Sequence, residues 1–416
     1  MLRFFTTIFI TTLFTASLAH AGDGPLTLRE ALGRAITKNP ELAAFPYDER
    51  AADARIFQAG IKPNPEASLR VENFAGTRDF HFAGESESTL ELSQLLELGG
   101  KRAARVHDAQ AGKALVRFDY EAKRLAVLAE TAQTFFEVLG TQRRVALNGE
   151  VVKLAAEIAP EIQKRVEAGK ASAVEQTRND VAVASARIGL EQAKHDLTAA
   201  RRKLASKWGA AQPDFSLAVG DLERLSEPPA FGIYLSRLSA NPSIARWAAE
   251  TDKRRAAVAK EKAEARPDLT VTAGPRWLNG PDVAAFVAGV SIPLPVQNKN
   301  QGTIREAEVL VEKAAIERKA AEAALTAVAG EAYEEMAKAY AEIQILTSAV
   351  LPNAQKAMDA VKEGYTVGKL SQLDVLEARR TINEARTQHL QALVNYHKAA
   401  AQLDALTGTT PKTLKK

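Results

Sequence analysis

Glu167-Ala168-Gly169-Lys170-Ala171-Ser172 and Thr366-Val367-Gly368-Lys369-Leu370-Ser371 are two versions of one turn, set about 200 residues apart in a chain of 416. Each has the chemistry of a break between helices. A glycine can end one helix in the left-handed region, and a serine can cap the next. Glu175 and Asp374 stand three residues after their serines, which predicts a capping box at both turns. Farther out, other landmarks repeat with the same spacing. Asn39-Pro40 returns as Asn241-Pro242, Leu204 and Gly209 return as Leu403 and Gly408, and Pro63 returns as Pro267. A period this long is the duplication of a whole unit, not a solenoid repeat. The two units are expected at 22–209 and 230–408, joined by a linker at 210–229 and followed by a tail at 409–416.

Both units read in the same order. In the first, Thr27 to Lys38 forms a short helix capped by Thr27 with Glu30, and a second helix runs from about Pro40 to Gly60. Strand-like runs with period-two alternation follow, at about 66–75 and 88–97 in the first unit and about 268–277 and 283–293 in the second. Each is close to the 9–11 residues that a tilted membrane strand needs. Helical hairpins come next, at 101–208 and 300–407. The first arm, from Lys101 to Ala168, would be about 100 Å long as one helix, so it must be a coiled-coil rod. The seam fits this. Val183, Leu190, Leu197 and Leu204 fall seven apart, with Ala186, Ala193 and Ala200 beside them. The second unit carries Ile382, Tyr396 and Leu403 beside Ala385, Ala392 and Ala399.

Composition narrows the function. Hydrophobic residues make up 46% but aromatics only 6%, which suits close helix packing through alanine. Lys and Arg number 55 against 51 Asp and Glu, and the two signs are interleaved, so no basic face for nucleic acid is expected. The chain has no cysteine, which excludes disulfides, thiol catalysis, Cys-based zinc sites and a lipidated cysteine. Arg3, the apolar run from Phe4 to Leu18 and Ala19-His20-Ala21 read as a secretory signal peptide over 1–21. No later stretch is apolar enough for a membrane helix, so the exported chain is either soluble or crosses a membrane as strands. Four strands cannot close a barrel or hide their edges. Three copies supply twelve strands, and twelve long helical arms that can close into a tunnel. The expected fold is mainly α with a membrane β part: a homotrimer with a 12-stranded barrel continued by an α-helical tunnel.

Leu95-Leu96-Glu97-Leu98-Gly99-Gly100-Lys101-Arg102, together with the duplicated plan, resembles the TolC-like outer-membrane factor (outer-membrane efflux protein) family over the whole mature chain. The junction is most similar to the subgroup serving heavy-metal cation efflux. The resemblance implies a passive outer-membrane channel that extends into the periplasm. Its implied partners are a periplasmic adaptor protein and an inner-membrane resistance-nodulation-division pump of the cobalt–zinc–cadmium type, with outer-membrane lipid around the barrel. It assigns adaptor docking to the hairpin tips: Val166, Gly169, Lys170, Ala171 and Ser172, and Val367, Gly368, Lys369, Leu370 and Ser371. It places Asp374 and Glu377 at the periplasmic aperture, with Glu377 standing where the best-known members carry Asp. Their spacing puts both on one helix face, and three-fold symmetry would make rings of carboxylates that favour cations. Good turns, a capping acid and a solvated charge are the plain alternatives for these same residues. Gly99, Gly100 and Lys101, with Pro293, Pro295 and Asn298 in the second unit, read as architectural strand-to-helix junctions.

Catalytic residues, cofactors and metals are not expected. Of His81, His107, His195, His389 and His397, only the last two share a helix, eight residues apart, which is a poor zinc or copper site. A duct for drugs or type I protein secretion remains open as an alternative, as does a periplasmic coiled-coil scaffold.

Overall fold

The computed structural model describes residues 24–77, 82–169 and 171–408. The expected signal peptide, His81, Lys170 and the 409–416 tail lie outside the described residues. A short strand β1 (Pro25–Thr27) leads into α1 (Leu28–Lys38) and α2 (Pro40–Ala59). Strands β2 (Glu66–Glu72) and β3 (Glu87–Leu96) precede the hairpin of α3 (Lys101–Glu167) and α4 (Ala173–Ser206). Then come β4 (Leu217–Val219), α5 (Phe231–Leu238), α6 (Pro242–Glu264), β5 (Leu269–Leu278) and β6 (Val283–Ser291). The second hairpin is α7 (Gln301–Ile345), continued by α8 (Leu351–Thr366), and α9 (Gln372–Leu406).

The duplication has a physical basis at the helix starts. Asn39 caps α2 by accepting from Glu41 N at 2.9 Å and Leu42 N at 3.1 Å, while its amide donates to Lys207 O at 2.8 Å. Asn241 does the same for α6, accepting from Ser243 N and donating to Leu406 O, both at 2.8 Å. Each unit thus ties the start of its second helix to the end of its hairpin. The Thr27–Glu30 capping box also forms.

α3 is unbroken over 67 residues. Its counterpart is not: α7 passes into α8 through one π turn at Leu346–Val350. Pro352 explains the widening, since it has no N–H for the preceding turn and its ring crowds that turn. The heptad alanines Ala193, Ala200, Ala385, Ala392 and Ala399 are buried where the long helices touch. Large side chains gather in one belt, where α1, β1, β4 and α5 wrap the middle of the rods around Phe135, Phe136, Trp208, Phe215, Tyr234 and Tyr396. The stretch 210–229, read as a linker, therefore contributes a strand, and β4 pairs parallel with β1.

The second sheet is antiparallel with order β2-β3-β5-β6. β2 stops at Glu72, three residues short of the expected end, because Asn73 turns into the left-handed region at φ 56°. β6 stops at Ser291 ahead of Pro293, not at 293. Register places Leu69, Leu90, Leu92, Val271, Trp277, Phe286 and Val290 on one face, where all are exposed. The opposite face is polar. Arg276 there bonds Thr89 Oγ1 at 3.0 Å and Glu87 at 3.2 Å. Neither β2 nor β6 has a second strand beside it among the described residues.

Candidate functional site

At both hairpin tips the chain turns on a left-handed glycine, Gly169 at φ 69° and Gly368 at φ 79°. The closing bond is the same in each: Ala171 N to Arg165 O and Leu370 N to Gly364 O, both 3.1 Å. The caps differ. Ser371 and Asp374 form the expected box, with Asp374 accepting from Ser371 N at 2.8 Å and from its hydroxyl at 2.7 Å. Ser172 and Glu175 do not. Glu175 N donates to the Ser172 carbonyl at 3.0 Å instead, and the Ser172 hydroxyl makes no cap bond. Val367 and Leu370 at the second tip are exposed, as are Val174 and Leu373 one step into the following helices. Val166 and Ala171 are half-buried, and Lys170 lies outside the described residues.

Asp374 and Glu377 are both exposed on the first turns of α9. The Ser371 side-chain and backbone bonds hold the Asp374 carboxyl below its usual range. Its charge is therefore secure, but it is engaged in the cap. The Glu377 carboxylate has no ion pair or hydrogen bond among the described residues, which makes it the freer charge.

Two bonds join the hairpins just above the tips. An Arg165 guanidinium nitrogen donates to Tyr365 O at 3.1 Å, and the guanidinium sits 4.4 Å from the Tyr365 ring centroid. Gln372 Nε2 donates to Glu175 O at 2.8 Å. This seam is polar and close-fitting. Asn179, Tyr365 and Gln372 are buried, yet Asn179 Nδ2, the Tyr365 hydroxyl and Gln372 Oε1 have no partner among the described residues. Burial pushes the Tyr365 phenol up. Sequence reasoning missed this group. Extending the row Ala186, Ala193, Ala200 back by seven residues lands on Asn179, so a polar residue in a core row was the available signal.

At the far end of the rods, Gly99 and Gly100 take φ 71° and 78° in succession. A Cβ at Gly99 would stand 2.4 Å from Arg266 Cδ, so both the backbone angle and the contact require glycine. Lys101 is buried, with Nζ 2.7 Å from Asp268 and 3.7 Å from Glu264. Asp268 also accepts from Leu98 N at 3.0 Å, and Arg105 pairs with Glu97. The junction of the first unit is thus bolted to the second. In the second unit Asn300, at φ 59°, holds the position of Gly100 and donates to Glu261 O at 2.9 Å. The prolines act earlier: Pro293 follows the end of β6, and the chain turns at Pro295, where Val296 N meets Leu294 O at 2.9 Å.

A strand pair followed by a long helical hairpin, written twice in one chain so that the four strands form one sheet, has known counterparts. Residues 31–210 and 234–409 match the outer membrane efflux protein family. The chain belongs to the outer membrane efflux protein family. A relative is the cobalt-zinc-cadmium resistance protein CzcC of Cupriavidus metallidurans, 35% identical over 385 residues, which is 92% of this chain and 90% of the relative. The nickel and cobalt resistance protein CnrC of the same organism is 27% identical over 295 residues, 71% of this chain and 69% of that one. A membrane protein from Pseudomonas aeruginosa has the same fold, with a TM-score of 0.77 at 19% identity, covering 93% of this chain and 91% of that one. The family is one of outer-membrane channels and not of enzymes, so the periplasmic scaffold alternative falls. No helix among the described residues is long and apolar enough to cross a membrane.

Two histidines of this outer membrane efflux protein, His389 and His397, make contacts within the protein. His389 Nε2 lies 3.2 Å from Thr347 Oγ1 in the π turn, and no group of three metal-ligating side chains occurs among the described residues. His397 is buried, stacks on Phe136 at 4.6 Å and donates from Nε2 to Leu222 O at 2.9 Å. Burial pushes the imidazole below its ordinary 6.5, more than the Leu222 bond lifts it. The unfolded chain therefore takes up a proton near 6.5 that the folded chain refuses, so this contribution to stability is full above 6.5 and lost as pH falls below it. His397→Gln is expected to remove a slope of up to about 1.4 kcal/mol per pH unit, read by denaturant unfolding at several pH values on the acid side. An unaltered slope in the variant would reject this role.

Proposed function

We propose that three copies of this chain share one 12-stranded outer-membrane barrel continued by an α-helical tunnel, and that the assembly is the exit duct for heavy-metal cations. The duct reading is carried by one observation: a sheet with one apolar face and two unpaired edge strands, β2 and β6. Open edges are not tolerated in a bilayer, so the edges of neighbouring copies must meet. The long helices support the same assembly. α4 bears an exposed apolar row, Val174, Val181 and Ile188, at heptad spacing, which a neighbouring copy would cover. The likeness to the cobalt-zinc-cadmium resistance protein supports the cargo. The units 22–209 and 230–408 are the two halves of each protomer's wall.

In this reading the tips at Val166–Ser172 and Val367–Ser371 meet a periplasmic adaptor, and an inner-membrane resistance-nodulation-division pump supplies the energy. Exposed Val367 and Leu370 give the adaptor apolar contact area. Asp374 and Glu377 ring the aperture and favour cations over anions. Gly99, Gly100, Lys101, Pro293 and Pro295 form the barrel base, where strands turn into tunnel helices.

Deleting the gene is expected to lower tolerance to cobalt, zinc and cadmium, and returning it on a plasmid is expected to restore it. Growth-inhibition curves check this. Unchanged metal tolerance together with lost tolerance to drugs would move the cargo to the other class and leave the duct standing.

A further inference from the structure

The outward row of β6 does not stop where its hydrogen bonding stops. Ala284, Phe286, Ala288 and Val290 alternate along the strand, and Ile292, Leu294 and Val296 carry the same period through the connection to α7. Val296 and Leu294 are 78% and 76% exposed, the highest values among the large apolar side chains described, ahead of Phe286 at 74%. Pro293 and Pro295 remove two backbone donors from this stretch, and the Val296 N to Leu294 O bond occupies a third. The segment is therefore a stiff apolar spur with little to offer a pairing strand.

Its surroundings point to what covers it. All four strands of the sheet meet the helices at this end. Each connection carries an exposed basic residue: Lys62 ahead of β2, Arg102 after β3, Arg266 ahead of β5 and Lys299 after β6. Of the nearby carboxylates, Glu97 pairs with Arg105, Asp268 with Lys101 and Glu261 with Asn300, while Glu66 at the start of β2 stays exposed beside the four cations. The opposite end of the sheet carries more acid than base among the described residues, with Glu72, Glu85, Glu87 and Asp282 around Arg276, which pairs with Glu72 and Glu87. An apolar spur continuous with a lipid-facing surface, flanked by cations, fits the boundary between acyl chains and phosphate headgroups.

We propose that Ile292, Leu294 and Val296 are seated in the periplasmic leaflet of the outer membrane, with Lys62, Arg102, Arg266 and Lys299 held at its lipid phosphates. This rests on reading the sheet as part of an outer-membrane barrel. The spur then fixes the depth at which barrel becomes tunnel, which the strand ends alone leave open.

The absence of cysteine makes each introduced thiol unique. Leu294→Cys and Val296→Cys, each carrying a nitroxide, are placed in the trimer in vesicles of phosphatidylethanolamine and phosphatidylglycerol. Accessibility to oxygen and to a water-soluble nickel chelate is then read by power saturation. Both labels are expected to favour oxygen, at a shallower depth than a label at Phe286→Cys. Preference for the chelate at 294 and 296 would put the spur in water. Shielding from both reagents would put it under protein, as against a second copy. Either result overturns the proposal while oxygen preference at 286 leaves the barrel standing. Chelate preference at 286 would bring down the barrel reading and the proposal with it.

Discussion

Lys101→Met is expected to cost about 3–5 kcal/mol of stability, because it removes one partner of a buried ion pair and leaves the other charged. The Lys101 side chain is 7% exposed and Asp268 19%, so water cannot easily take over. Glu264, 3.7 Å away, loses the same cation. Arg105 offers some compensation, since its charge already feels Glu264 and Asp268, but its guanidinium is held by Glu97. The change should appear as a lower guanidinium midpoint. A second variant isolates the cause. Lys101→Met with Asp268→Asn removes both charges and keeps an amide oxygen for Leu98 N, so it should recover more than half of the loss. Equal losses in the single and double variants would mean that packing of the lysine stem, not the ion pair, is what matters.

This pair also marks where sequence reading stops. Gly99, Gly100 and Lys101 stand out as a junction because consecutive glycines before a long helix have a local meaning. Asp268 does not stand out, because it is 167 residues away and its role exists only once β3 and β5 lie side by side. The features legible in the chain are those set by near neighbours. Asn39 and Asn241 announce helix starts, Gly169 and Gly368 announce turns, and the alanine rows announce close-packed rods. Contacts between units are legible only afterwards. The capping prediction illustrates the limit on a smaller scale. Ser371-x-x-Asp374 and Ser172-x-x-Glu175 are equally good patterns, yet only the first closes, because Glu175 N finds the Ser172 carbonyl before its hydroxyl. Pattern names the donors available; local geometry chooses among them. Asn300 shows the converse, an asparagine in the left-handed conformation that its counterpart Gly100 adopts, without a glycine in the sequence to announce it.

In the proposed duct, separating what would hold the aperture shut from what would select ions there gives the second large expected effect. Arg165→Ala with Gln372→Ala removes the two bonds that tie one hairpin to the other near the tips, Arg165 to Tyr365 O and Gln372 to Glu175 O. Each bond is worth about 0.5–1.5 kcal/mol, so their loss shifts the opening balance of each protomer by roughly five- to 150-fold. The unpartnered atoms of Asn179 and Tyr365 add to this, because water entering an opened seam can satisfy them. Conductance in planar bilayers should therefore rise several-fold. Glu377→Ala should act differently. Its carboxylate has no partner among the described residues, so removing it lowers preference for cations without loosening the tips. That loss should shrink in high salt, where an exposed ring is screened anyway. Asp374→Ala is expected to show both effects, since Asp374 supplies a charge and also closes the cap of α9. Unchanged conductance in the Arg165/Gln372 variant would remove these bonds as the lock. Unchanged reversal potentials in Glu377→Ala would place its carboxylate outside the ion path, and the same result in Asp374→Ala would leave Asp374 a capping residue and no more.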